Sequence, residues 1–236
     1  MNKTILIALL ILAIVIIFSG VVFLYLNLGE LPLADINFNL EKEEKEISYE
    51  VSLKEDTLRN DNYEISFKKI ESNSLGGETV NSFIENEIKD FKDKANSKVP
   101  NLRENNFEHK YIMDIGLESY QTEDYLSYIL NIGKYTGGAN MNQIIKNFTF
   151  DKRKNKEIKL SEIILPNKQD EFIKKVRTAL KEEDTFPGVE ESFYFSDIHS
   201  FYFTENKINI LFSKYEVAPG AAGIIEISIN RNNLVK

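Results

Sequence analysis

The run from Thr4 to Gly29 contains no charged residue, and its centre, ILIALLILAIVIIFSGVVFLYL, is almost wholly apolar. At about 1.5 Å of rise per residue, such a run crosses a hydrocarbon core of roughly 30 Å as a single helix. A cleaved signal peptide has a shorter apolar region, about 7–15 residues, ending in a small-x-small site. This stretch is longer and no Ala-x-Ala follows it, so an uncleaved anchor in membrane lipid is expected. Lys3 precedes the run, whereas Glu30, Asp35 and Glu41 follow it before the first basic residue, Lys42. Positive-inside counting therefore places the N-terminus in the cytoplasm and the remainder outside, as in a single-pass protein of the cytoplasmic membrane. The expected divisions are a tail (1–3), an anchor (4–28), a stalk (29–45) and an extracytoplasmic domain (46–236).

Composition removes several kinds of chemistry. The chain has no cysteine, which rules out disulfide scaffolds, zinc ribbons, iron–sulfur sites and thiol nucleophiles. His109 and His199 are its only histidines, and neither shows ligand spacing, so no metal or other cofactor is expected. A net charge of −8 lacks the basic footprint that phosphate requires, and nucleic acid is not an expected partner.

Past the stalk, the sequence reads as an α+β domain: a twisted, mainly antiparallel sheet packed by two or more helices. Ile47, Tyr49, Val51 and Leu53 alternate with polar residues as in a half-buried strand, and residues 63–67 repeat the pattern after the turn-like Arg59–Asn62. Gly76-Gly77 precedes a helix over 78–96, whose stripe is Val80, Phe83, Ile84, Ile88, Phe91 and Ala95, with Pro100 as its stop signal. Strands are expected over 107–120, 125–135 and 143–150, then a helix over 167–183 with Phe172, Ile173, Val176, Ala179 and Leu180 inward. The final strands are expected at 200–203, 207–212 and 224–229. The domain is read as an N-terminal part, 46–130, and a motif-bearing part, 131–236.

Two motifs stand out. Tyr135-Thr136-Gly137-Gly138-Ala139-Asn140 ends a strand; it lacks the Gly-Lys-Ser/Thr of a phosphate loop, and paired glycines there suit a positive-φ turn or a backbone surface open to a ligand. Tyr215-Glu216-Val217-Ala218-Pro219-Gly220-Ala221-Ala222-Gly223 is read either as a fixed crossover or as a groove lined by Tyr215 and Glu216. Tyrosine offers a binder large area with few torsions to freeze. Asn147-Phe148-Thr149 matches a glycosylation sequon, a pattern frequent by chance. With 37 acidic residues, a glycosidase pair is always imaginable, but no motif selects one.

These motifs, with Asn147–Asp151, Lys156–Ile164 and Phe201–Thr204 between them, resemble the extracytoplasmic domain of RsiV-type anti-sigma factors and the N-terminal region of PdaC-type peptidoglycan deacetylases. The resemblance covers about 45–230 and is strongest over 130–230. It implies an antiparallel sheet packed by helices, an address outside the cytoplasmic membrane, and recognition of lysozyme in the sensor branch. Asn140 stands where the family pattern has His, and Gly220 where it often has an aromatic residue. The anti-sigma region and the deacetylase domain with its metal motifs have no counterpart in this sequence.

The sequence thus points to a membrane-anchored binding or sensor-like module without catalytic residues, its partner lysozyme or peptidoglycan. The expected ligand-binding residues are Tyr135, Thr136, Gly137, Gly138, Asn140, Tyr215, Glu216 and Pro219. A wall-polymer hydrolase or deacetylase, or an envelope protein without a soluble ligand, stands as the alternative.

Overall fold

The computed structural model describes residues 47–104 and 109–235. The expected tail, anchor and stalk lie outside these. Among the described residues, no helix is long and apolar enough to cross a membrane.

Six strands form the larger sheet: β1 (Leu53–Arg59), β2 (Tyr63–Ile70), β3 (Tyr111–Gln121), β4 (Tyr125–Tyr135), β5 (Asn142–Asp151) and β6 (Lys156–Glu157). They lie side by side in chain order, and every neighbouring pair is antiparallel except β2 and β3, which are parallel. A parallel pair needs a crossover, supplied here by the helix α1 (Gly77–Arg103). The α1 residues Val80, Ile84, Ile88, Phe91, Ala95 and Val99 recur at three- and four-residue steps and are all buried. They pack on the alternate residues of the sheet: Ile65 and Phe67 of β2, Met113 and Ile115 of β3, Tyr128 and Leu130 of β4, and Phe148 and Phe150 of β5. Burying each large side chain contributes roughly 1.5–3 kcal/mol, so this layer dominates the stability of the N-terminal half.

The smaller sheet is antiparallel and joins β7 (Ser200–Phe203), β8 (Lys207–Phe212) and β9 (Ile225–Asn230). Short helices α2 (Leu160–Ile163) and α4 (Val189–Ser192) flank the longer α3 (Gln169–Leu180). Phe172, Val176 and Leu180 of α3 pack on the face made by Phe201, Phe203, Ile208, Ile210, Phe212 and the three isoleucines of β9. The opposite face of this sheet meets the back of the larger one, where Ile129 and Ile145 touch Tyr202 and Leu211.

That seam is partly polar. Asn147 Nδ2 donates to the Phe201 carbonyl at 2.8 Å, and the Thr149 and Ser127 hydroxyls lie 3.0 Å apart. Ser200 Oγ donates to the Ile145 carbonyl, and Ser213 Oγ accepts the Ile145 N–H. Each pairing offsets the cost of a buried polar group, about 1–3 kcal/mol when left unmade. The amide of the sequon is therefore occupied inside the folded domain.

The structure departs from the sequence-based expectations in three places. Of the residues expected to begin the first strand, Ile47, Tyr49 and Val51 lie before it and only Leu53 belongs to it. Tyr49 and Val51 pack on the core, but the Tyr49 N–H bonds the Gln121 side chain rather than a ladder partner, and β1 is the charged stretch that follows. Next, α1 runs through Pro100 to Arg103, because Val99 is buried and Leu102 packs on the core beyond it. Proline there forfeits one helical hydrogen bond, which this packing offsets. Finally, a boundary at 130/131 falls inside β4, so the larger sheet extends through residue 157 and the second layer begins with α2.

Candidate functional site

The hairpin between β4 and β5 turns through residues 136–141. Gly137 and Gly138 have φ of 96° and 108°, values that side-chain-bearing residues rarely adopt. A Cβ on Gly138 would meet nothing within 4 Å, so conformation rather than packing calls for glycine there. Gly138 and Asn140 are exposed, and Tyr135, Thr136 and Gly137 are half-buried. Lys134 faces α1 and pairs with Glu87 at 2.5 Å, which fixes the hairpin to the helix. Tyr135 consequently projects from the opposite face, beside its cross-strand partner Ile112, itself exposed. Met141 folds back so that its sulfur fills the space a side chain at Gly133 would take.

The second motif follows β8. Ser213 and Glu216 close a tight turn, in which the Glu216 N–H bonds the Ser213 carbonyl and Glu216 Oε2 accepts the Ser213 N–H at 2.7 Å. The Glu216 carboxylate is thus engaged by its own turn. Val217 and Ala218 are buried in the core beneath, and the Val217 carbonyl accepts the Phe186 N–H. Tyr215, between these anchors, has φ of 71° and remains 55% exposed. Its ring lies over Gly220 so closely that a Cβ there would collide with it. Lys214 Nζ sits 5.3 Å from the ring centroid, within cation–π range. Pro219 is exposed and opens a single 3-10 turn, Gly220–Ala222.

The two motifs are neighbours. Lys214 Nζ donates to the Met141 carbonyl at 3.4 Å, and the Ser213–Ile145 bond lies just behind it. The residues that make this junction, Ser213, Lys214 and Met141, were not among those expected from the sequence. A serine and a lysine after a strand carry no signal of what they will touch.

On the back of the larger sheet, Tyr120 and Tyr202 stack with centroids 4.0 Å apart. Each donates its hydroxyl to a carboxylate at 2.6 Å, Tyr120 to Glu118 and Tyr202 to Glu226. The bond to Glu118, aided by burial, pushes Tyr120 up to about 12, while burial and Glu226 raise Tyr202 as well. Both phenols stay protonated at neutral pH and act as donors, not as bases or nucleophiles. His109 and His199 are both exposed, and His199 borders a groove with Lys146, Lys159 and Ser161. Among the described residues, no group of three or more His, Asp or Glu could hold a metal ion.

Residues 139–232, from the hairpin tip to just past β9, match the sequence model of DUF3298, described as a protein of unknown function. Among solved structures, the fold is similar to that of a DUF3298 family member from Bacteroides fragilis NCTC 9343, with a TM-score of 0.54 and 16% identity over 79% of this chain and 94% of that one. A DUF3298 family protein from Pseudomonas aeruginosa PAO1 is comparable, with a TM-score of 0.53 and 15% identity over 79% and 93%. No curated protein matches the chain. At these identities the likeness establishes the fold alone, a mixed α/β arrangement with a large antiparallel sheet and few helices.

Proposed function

We propose that the chain is a membrane-tethered binding module. Its N-terminus is cytoplasmic, its folded domain lies outside, and its binding edge comprises the tip Thr136–Asn140 and the turn Ser213–Gly220. The observation that carries this reading is Tyr215, a large aromatic held at positive φ and exposed rather than buried. A strained backbone persists only where its surroundings over-determine it, and such positions cluster at ligand-contacting sites. The partner is a protein or glycan of the cell wall, with lysozyme first, in keeping with the resemblance to the sensor branch of the RsiV and PdaC domains. All 37 acidic residues follow the apolar run, against 28 of the 29 basic ones, a balance that favours encounter with a basic partner.

The test is binding of lysozyme and of purified peptidoglycan to the parent chain and to Tyr215→Ala, with melting temperature measured on the same samples. The ring is half in solvent, so its removal should barely move the melting temperature. Affinity should fall by about 2 kcal/mol or more, as for a central interface tyrosine. Unchanged affinity, or no binding to either bait by the parent chain, would defeat the reading. The topology has its own check: protease added to intact cells should digest the folded domain, and full protection would place it inside.

A further inference from the structure

A sheet edge presents unpaired N–H and C=O groups that invite another strand unless something guards them. Three of the four edges here are guarded. On β1, the outward Thr57 N–H is taken by the Asp56 carboxylate, and charged Glu55 and Arg59 stand on either side. On the far side, where β6 covers only Phe150 and Asp151 of β5, Ser213 and Ser200 take the N–H and C=O of Ile145, and the Ile158 N–H takes the Thr149 carbonyl. On β7, the outward Phe201 carbonyl accepts from Asn147 and Thr149.

β9 is different. The Arg231 N–H bonds the Asn206 carbonyl, so the alternation turns the backbone of residues 225, 227 and 229 toward β8 and that of Glu226, Ser228 and Asn230 outward. Among the described residues, no hydrogen bond takes up these outward groups. The side chains of the three residues are engaged elsewhere, with Tyr202, Asn209 and the Asn232 N–H. The strand, IEISIN, contains neither lysine nor proline. Beside it runs a groove against α3, walled by Lys174, Thr178, Ala179 and Glu182.

We infer that β9 is an interface for a second copy of this chain, whose own β9 pairs with it antiparallel about a two-fold axis at Ser228. Self-complementarity selects this occupant over an unrelated strand. The axis sets Ser228 against its equivalent and Glu226 against Asn230 of the second copy, with no like charges opposed. Along the groove wall, Lys174, Thr178 and Glu182 follow in order, so an axis near Thr178 sets Lys174 opposite the second copy's Glu182. Both are exposed, and among the described residues neither has an ion-pair partner within the chain, whereas neighbouring Glu171 is held by Lys168 and Lys175. The two smaller sheets then become one, with a pair of α3 helices across the seam, an isologous arrangement.

Sedimentation velocity of the full chain in detergent, across micromolar concentrations, tests this. A dimer is expected, with slow amide exchange at Glu226, Ser228 and Asn230 that speeds up on dilution. Ser228→Pro removes an outward N–H without breaking the β8 ladder and should leave a monomer. Should that variant fold poorly, the surface substitutions decide: Lys174→Glu should weaken association about tenfold through repulsion, and Lys174→Glu with Glu182→Lys should restore it. A monomer throughout would overturn the inference. So would a dimer indifferent to these changes, as one held by the apolar N-terminal run would be, or amide protection that appears only when a different protein is added.

Discussion

Phe203→Ala is expected to destabilise the folded domain by about 3–5 kcal/mol, the usual cost of truncating a buried aromatic. The ring is 1% exposed, lies 4.4 Å from the Tyr125 ring of β4, and meets Phe201 edge-on. It therefore belongs to the smaller sheet while packing on the larger. For a domain of this size the loss corresponds to a fall of about 6–20 °C in melting temperature, read by circular dichroism. Amide exchange on the same variant should show faster opening of β7 and β8 than of β2 and β3, whose core lies beyond the seam. A loss below about 1 kcal/mol would mean that the sheets do not depend on this contact.

Gly76→Ala is the second large effect, expected at about 2–5 kcal/mol. Gly76 precedes α1 with φ of 77°, and an added Cβ would come within 2.2 Å of the buried Phe150 ring. The backbone alone costs roughly 1–2 kcal/mol for an L-residue, and displacing a packed ring adds about 1–3 kcal/mol. Gly138→Ala is the internal control, since its φ is also positive but its Cβ would meet nothing within 4 Å. Urea denaturation of both variants should show the larger loss at Gly76. Equal losses would show that Phe150 yields without cost.

Periodicity made most of this architecture readable. The expected strand 125–135 is the observed β4, and 200–203 and 207–212 are the observed β7 and β8. Alternation, however, shows that a strand has two faces and not which of them is covered. Asn147, Thr149 and Ser127 are polar members of alternating strands and would ordinarily meet water; here the smaller sheet lies over them. The same limit hid β1, whose LKEDTLR has the composition of a solvated loop and is ordered by its ladder to β2. At the candidate site, the Gly-Gly turn and Tyr215 were legible because glycine pairs and aromatics in loops are conspicuous. The engagement of Glu216 by its own turn was not, since a carboxylate that caps a turn looks in sequence like one that awaits a ligand.

The parallel pairing of β2 with β3 governs how the chain can reach this structure. β1–β2, β3–β4, β4–β5 and β5–β6 each close across a short turn and can zip from a local hairpin. Tyr63 meets Tyr111 only after the whole of α1 has been laid down between them. The larger sheet accordingly consists of two locally connected pieces, a hairpin and a meander. Their union carries the loop-closure entropy and fixes the register, so the docking of α1 is expected to be the slow step of folding.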